Sequence, residues 1–492
     1  MLRSYFKITY RNILKSKGYS FINIFGLSLG IACCLLMFNY VRFEFSYDNF
    51  HPEVDRTYRV DQVLPWSLEE GVSGSTAPPL ANTLKTNYGE VEEVMRINTP
   101  GDFIIRFSDA PNHMIAFNES HVYAADSNFF SFFGFRLKEG DSRTALQGVH
   151  KVVISEEVAK KLFGDAPALG KILQLGDDRT AIEVTGVTEH QPENTHFHFD
   201  YLLSMDTNPS VKKRDWSWVW TQVVTYVRLK PGADPKALEG KMLTLGERVI
   251  KPAFESRGMD YENALEGKGT WNFYLRPMRD IHLKSGDNRL GPAGDIKYAY
   301  TFAVIGGFVL LIAAINFINL STARGTKRAK EVGVKKTLGA LRSSLISQFQ
   351  SESIFLTIFS TMLALILVEG LRLMIEDVVG ISIPFTLWKD KEMLLMLPFI
   401  PLVIGFLAGL YPSFYLTAFR PVHVLKGKIA SGLGNSTLRN GLVVIQFSIS
   451  IALIAGTIIV FQQLRFVSST NLGFDKENVL QFILDQSATA KL

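Results

Sequence analysis

Cysteine is nearly missing from this chain. Among 492 residues there are two, Cys33 and Cys34, side by side in an apolar run. No disulfide framework is available to the rest, so a sizeable domain elsewhere in the chain draws its stability from its own core. Signatures of catalysis are missing as well. Neither His-Glu-x-x-His nor a paired Cys-x-x-Cys occurs, the spacings by which zinc hydrolases and thiol metal sites are read. Residues 164–171, "GDAPALGK", fall short of a phosphate loop. Five residues separate Gly164 from Gly170 where four are required, and Ile172 stands where a magnesium-binding hydroxyl belongs. This stretch reads as a turn between a helix and a strand. Residues 189–200, "EHQPENTHFHFD", put His196 and His198 on one face only if they form a strand, and no third ligand stands at a diagnostic spacing. A polar loop leading into "DYLLS" is the expected structure. On these residues the sequence assigns no catalytic, cofactor-binding or metal-binding site, and no cofactor.

What is present is distributed unevenly. The hydrophobic fraction of 47% is ordinary, but five stretches are almost purely apolar: roughly 21–41, 299–320, 354–375, 393–416 and 442–464. Each reaches the length of about 20 helical residues that crosses a hydrocarbon core. The chain therefore reads as an integral membrane protein. Its first span is longer than the core of a secretory signal and reads as a retained anchor.

Charge gives the orientation. The net charge is +5. The first twenty residues carry Arg3, Lys7, Arg11, Lys15 and Lys17 without an acid, and the segment before the fifth run carries Arg420, Lys426, Lys428 and Arg439, again without one. Between the second and third runs stand Arg324, Lys327, Arg328, Lys330, Lys335, Lys336 and Arg342 against Glu331 and Glu352. Lys and Arg near membrane ends stay cytoplasmic, and simple alternation puts all three basic segments on one side. The N-terminus is then inside, and the large region after the first span outside.

The fold class that follows is an integral membrane α-helical bundle with a large mixed α/β domain inserted between the first and second spans. Residues 1–20 are expected to form an amphipathic helix on the cytoplasmic face. Next come a span at 21–42, the external domain at 43–298, a span at 299–320, a cytoplasmic segment at 321–353 and a span at 354–376. A fourth span at 393–416 leads through a linker at 417–441 to a fifth at 442–464. Within the domain, "RTYRV", "DFIIRFS", "KVVIS", "AIEVTGV", "TYVRL" and "NFYLRP" read as strands. "SEEVAKKLF" reads as a helix capped by Ser155, and "DPKALEGKMLTLGERVI" as another. "SLGIA" at 28–32 returns as "SISIA" at 448–452. This predicts that a second copy of span plus external domain begins near residue 436, with 465–492 as the truncated start of its domain; a short tail is the alternative.

Three further features bear on function. Glu369 lies inside an apolar run with Arg372 three residues on, where an ion pair on one helical face near the outer membrane boundary is expected in preference to a proton or substrate pathway. Gly405 and Gly409 form a Gly-x-x-x-Gly step, expected to pack within one bundle in preference to a dimer interface. Residues 326–344, "TKRAKEVGVKKTLGALRSS", combine dense positive charge with Val332, Leu338, Leu341 and, just beyond, Leu345 at helical spacing. The helix is expected to break at Gly339, with another beginning near Ser343 and Ser344. A plain charge anchor needs no such pattern, whereas a helix docking on a partner does.

These stretches carry a resemblance. "NFINLSTARGTKRAKEVGVKKTLGALRSSLISQF" resembles the cytoplasmic segment of FtsX-like/MacB-like ABC transporter permeases. "SKGYSFINIFGLSLGIACCLLMFNYVRFEFSYDNFHPEVDRTYRV" is similar to the N-termini of the Bacteroidetes type. "VTGVTEHQPENTHFHFDYLLS" and "VYAADSNFFSFFGFRLKEGD" resemble the MacB-like periplasmic core domain, and "AGLYPSFYLTAFRPVHVLKGKI" the exit from the fourth span. The resemblance implies a permease half in the inner membrane whose external domain is periplasmic. ATP hydrolysis is implied in a separate cytosolic ABC ATPase, so the chain itself is not expected to be an enzyme. The residues matching the ATPase-coupling segment are Lys330, Glu331, Val332, Gly333, Lys336, Leu338 and Gly339. The expected task is efflux, or extraction of a lipid-like or peptide molecule. The expected partners are that ATPase, membrane lipids and a periplasmic adaptor or outer-membrane component, with no nucleic acid. A non-transport FtsX-type regulator of a periplasmic cell-wall hydrolase is the alternative.

The charge asymmetry makes a direct prediction. In a background free of Cys33 and Cys34, a single cysteine placed at Asn112 or Gly232 reacts with an impermeant thiol reagent in intact cells, and one at Lys335 does not; labelling at position 335 reverses the topology.

Overall fold

The computed structural model describes residues 11, 15, 17–63, 72–98, 101–110, 113–264, 271–286, 288–323, 325–379, 391–418 and 436–469. Most of the expected helix at 1–20, most of the linker at 417–441 and everything from residue 470 onward lie outside these residues. The chain divides into two compact units, residues 1–43 with 297–479 and residues 44–296 with 480–492.

The first unit is helical. Among the described residues, five helical stretches are long and apolar enough to cross a membrane: Lys17–Phe45, Ile296–Ala323, Arg342–Met374, Met393–Thr417 and Arg439–Ser469. A helix is what an apolar run must adopt in hydrocarbon, because only there does each segment satisfy its own N–H and C=O groups. Polar side chains in these helices follow the same rule. Thr357, Ser360 and Thr361 donate their hydroxyls to the carbonyls of Ser353, Leu356 and Thr357, at 2.8, 2.9 and 2.9 Å. Arg372 Nη2 donates to Glu369 Oε1 at 2.8 Å, a pair on one helical face.

Small residues set the helix contacts. A Cβ on Gly30 would collide with the Cβ of Ala313, so only glycine lets these two backbones approach. Gly405 and Gly409 face Ile354 and Ser353, where an added Cβ would meet atoms at 2.8 Å in each case. The Gly-x-x-x-Gly step thus serves packing within the chain.

The second unit is built on one sheet of twelve strands among the described residues: β1 (Thr57–Val63), β2 (Val91–Asn98), β3 (Phe103–Ala110), β4 (His113–Glu119), β5 (Val122–Ala125), β6 (Leu137–Gly140), β7 (Lys151–Ile154), β8 (Ile172–Leu175), β9 (Thr180–Thr188), β10 (Tyr201–Ser204), β11 (Val223–Leu229) and β12 (Asn272–Pro277). Their order is β12-β1-β11-β2-β5-β10-β7-β9-β8-β3-β4, with β6 paired to β9. The sheet is mixed: β10 runs parallel to β5 and β7 parallel to β9, and the other pairs are antiparallel.

Alternation along the strands explains why the central ones are buried throughout. On β11, Val224 and Tyr226 enter one cluster with the phenyl rings of Phe129, Phe132, Phe133 and Phe135, while Val227 and Leu229 enter another around Trp271, Leu80 and Leu238. On β5 and β10, Tyr123, Ala125 and Leu202 join the phenylalanine cluster, and Val122, Ala124, Tyr201 and Leu203 join a third cluster with Val158 and Leu173. Successive side chains point to opposite faces, so a strand covered on both sides reads as a continuous apolar run.

The helices sit where local chemistry allows. Ser155 caps Glu156–Phe163 by accepting from the Val158 amide at 3.2 Å, and Asp234 caps Pro235–Met242 by accepting from the Lys236 amide at 2.9 Å. Residues 164–171 form the turn between the first of these helices and β8. Gly134 ends the helix Phe129–Phe133 at φ 77°, and a Cβ there would meet Pro52 at 2.5 Å.

Phe129 is fully buried and stacks at 5.6 Å on Phe135, with Phe199 edge-on at 5.5 Å. In residues 44–296 expressed alone, Phe129→Ala lowers the unfolding free energy by about 3–5 kcal/mol in urea titration, the range for emptying a buried aromatic site.

Candidate functional site

The charge-dense segment picked out by sequence is a helix, Gly325–Thr337, followed by a tight reversal into Arg342–Val379. Its ending is a Schellman motif. The Gly339 amide donates to the Lys336 carbonyl at 3.1 Å, and the Ala340 amide donates to the Lys335 carbonyl at 3.0 Å. Gly339 has φ 90°, in the left-handed region that costs a non-glycine residue about 1–2 kcal/mol.

Two contacts anchor the segment. Val332 is fully buried in a cluster with Leu345, Phe349 and Leu416. Arg328 grips Glu352 with both ends of its guanidinium, Nη1 to Oε2 at 3.0 Å and Nη2 to Oε1, and lies 5.5 Å from the centre of the Phe349 ring. This fork-to-carboxylate geometry is the strong form of an ion pair. Lys335 Nζ donates to Glu331 at 2.7 Å and to Gln348 at 3.0 Å, and Lys336 Nζ donates to the Thr417 carbonyl at 2.7 Å.

The seven residues matched to coupling therefore do not share one surface. Val332 and Gly333 are buried, and Lys336 reaches Thr417. Lys330, Glu331, Leu338 and Gly339 are exposed. Leu338 is 82% exposed and Leu341 72%, at the reversal itself. Arg328 and Glu352 were visible in the sequence only as two charges in a basic stretch.

A second group of polar residues gathers in the unit of residues 44–296. The segment 189–200 is a loop, so the strand geometry that would align His196 with His198 does not arise. His198 is exposed, whereas His196 is fully buried against Asp48, with His51 beside them. The ligand-type atoms of Asp48, His51 and His196 lie within 4.8 Å of one another. Burial pushes the Asp48 carboxyl up, but His196 and His51 outweigh it and hold the group well below the usual carboxylate range. Burial lowers the His196 imidazole, against the pull of Asp48. Sequence spacing could not reveal this set, because His196 and Asp48 stand 148 residues apart.

Comparison with known proteins adds the wider frame. Residues 20–245 match the MacB-like periplasmic core domain, and residues 303–421 match the FtsX-like permease C-terminal domain. The chain is 22% identical over 453 residues to an uncharacterized ABC transporter permease, YvrN, of Bacillus subtilis (strain 168), covering 85% of this chain and 98% of that one. It is 21% identical over 373 residues to the macrolide export ATP-binding/permease protein MacB of Salmonella typhi, covering 74% of this chain and 48% of that protein, about half its length. The periplasmic region of MacB from Actinobacillus actinomycetemcomitans is 17% identical, with a TM-score of 0.31, over 46% of this chain and 90% of that one.

The Arg328–Glu352 pair gives a stability prediction. Glu352→Gln strands the guanidinium without its counter-charge and lowers the stability of the chain in nanodiscs by on the order of 3 kcal/mol. The readout is the melting temperature followed by a thiol-reactive dye on Cys33 and Cys34, both partly shielded in the folded chain.

Proposed function

We propose, for a chain that is an ABC transporter permease of the MacB/FtsX type, that it couples a separate cytosolic ATPase to conformational work in the periplasm. The work is efflux, or extraction of a lipid-like or peptide substrate from the outer face of the inner membrane. In this reading the N-terminus and the helix Gly325–Thr337 are cytoplasmic, and the unit of residues 44–296 is periplasmic, where an adaptor or an outer-membrane component meets it.

The observation that carries the proposal is the pair Leu338 and Leu341, 82% and 72% exposed around a glycine turn at φ 90°. Water-exposed leucines at a rigid reversal are the expected form of a knob that fills a groove on a partner. The anchoring contacts support the same reading. Val332 and the Arg328–Glu352 pair tie the segment to Arg342–Val379, so a push on the knob moves a membrane helix rather than a loose loop. The basic residues around it supply a charged rim, and rim charges act mainly on encounter rate and salt dependence.

Burying a leucine-sized side chain is worth about 1.5–3 kcal/mol, and about 1.4 kcal/mol is a factor of ten in affinity. Leu338→Asp is therefore expected to weaken binding of the cognate ATPase at least about tenfold in co-purification from nanodiscs. Gly339→Pro, whose ring cannot reach φ 90°, leaves membrane insertion intact and lowers permease-stimulated ATP hydrolysis. Normal binding and hydrolysis in Leu338→Asp, with loss of both when Lys330 and Lys335 are neutralised, reduces the segment to a charge anchor.

A further inference from the structure

His51 holds a position that a neutral ring does not explain. Its Nδ1 lies 2.7 Å from the Phe133 carbonyl oxygen. A carbonyl only accepts, so Nδ1 carries a proton and donates. In the neutral ring Nε2 then presents a lone pair, and it faces Asp48 Oδ1 at 3.3 Å. A lone pair set against a carboxylate oxygen in a buried site is repulsive, and the contact calls for a positive charge between them: a second proton on His51, or a metal ion.

The Asp48 carboxylate separates these two possibilities. Four groups crowd Oδ1: the Thr195 hydroxyl at 3.3 Å, the His196 amide at 3.1 Å, His196 Nδ1 at 2.8 Å and His51 Nε2 at 3.3 Å. Oδ2, equally buried, has no hydrogen-bond partner among the described residues. A bare carboxylate oxygen away from water is costly. A proton on His51 relieves the one repulsive contact and leaves Oδ2 bare. A cation held by both carboxylate oxygens relieves both.

The outer contacts suit metal-bound imidazoles. A ligating histidine ties its other ring nitrogen to a carbonyl, carboxylate or similar group, which fixes the ring. His51 does so through Nδ1 on the Phe133 carbonyl, and His196 through Nε2 on the Tyr226 hydroxyl at 2.6 Å. Asp48 itself is held at φ 61°, a left-handed conformation that its neighbours must enforce. Two imidazole nitrogens and a carboxylate are donors that zinc takes.

We propose that Asp48, His51 and His196 form a binding site for one divalent transition metal ion, zinc by the chemistry of its donors. The ion fastens the stretch that follows the helix Lys17–Phe45 to the loop before β10, inside the phenylalanine-rich core. This departs from the expectation of no metal drawn from sequence spacing, and it does not depend on the coupling proposal.

The test uses the full chain in nanodiscs, purified without a polyhistidine tag. After incubation with zinc and desalting, the chain is expected to retain about one zinc ion. Stripping with a chelator lowers its melting temperature, and zinc restores it. Cobalt in place of zinc gives visible absorption bands from nitrogen and oxygen ligation. Asp48→Asn and His51→Gln lose the ion, and His198→Ala, altered at the exposed neighbour, keeps it. Should the first two variants fail to fold, the cobalt spectrum and the chelator response of the unaltered chain decide. A chain that retains no zinc, shows no cobalt bands and melts at the same temperature with zinc and with chelator overturns the proposal and leaves Asp48, His51 and His196 as a buried polar cluster.

Discussion

Hydrocarbon offers no partner to a bare peptide group, and the helical unit is organised by that constraint. Its apolar runs form helices because a helix closes its own hydrogen bonds. The hydroxyls of Thr357, Ser360 and Thr361 turn back to carbonyls one turn earlier, and Glu369 finds Arg372 on its own helix. Where polar groups such as these are satisfied on their own helix, helices can meet by shape, and Gly30, Gly405 and Gly409 stand where a methyl group would collide.

The unit of residues 44–296 solves a different problem. Water is available to its edges, so strands are possible, and the wide mixed sheet buries apolar groups on both faces. The phenylalanine-rich cluster lines one face, and the clusters around Trp271 and Val158 divide the other. Aromatic residues at 129, 132, 133 and 135 fill a large volume from a short stretch of chain. That density stands in for the disulfides the unit does not have.

The segment Gly325–Thr337 with its reversal at Gly339 is anchored on one side and bare on the other. Val332 and Arg328 face inward, and the Schellman turn then carries Leu338 and Leu341 outward. The segment thus sets an apolar pair at a glycine turn whose base is fixed by the buried Val332 and by the Arg328–Glu352 pair.

Features that depend on neighbours along the chain were legible before any fold was known. Apolar run length marked the spans, β-branched runs marked strands such as β7, β9 and β11, a serine before two glutamates marked the cap at Ser155, and Gly339 marked a helix end. Each is a local signal, set by backbone dihedrals and by which face of an element is apolar. Joining across distance belonged to the folded chain. Folding set β12 beside β1, drew Glu352 to Arg328 across 24 residues, sent Val332 and Leu338 to opposite sides of one motif, and brought Asp48 and His51 to His196. Periodicity reports that a face is buried without saying against what. The partner is chosen by packing and loop closure over the whole chain, and for His196 that choice placed a carboxylate and a second imidazole where spacing alone had shown a polar loop.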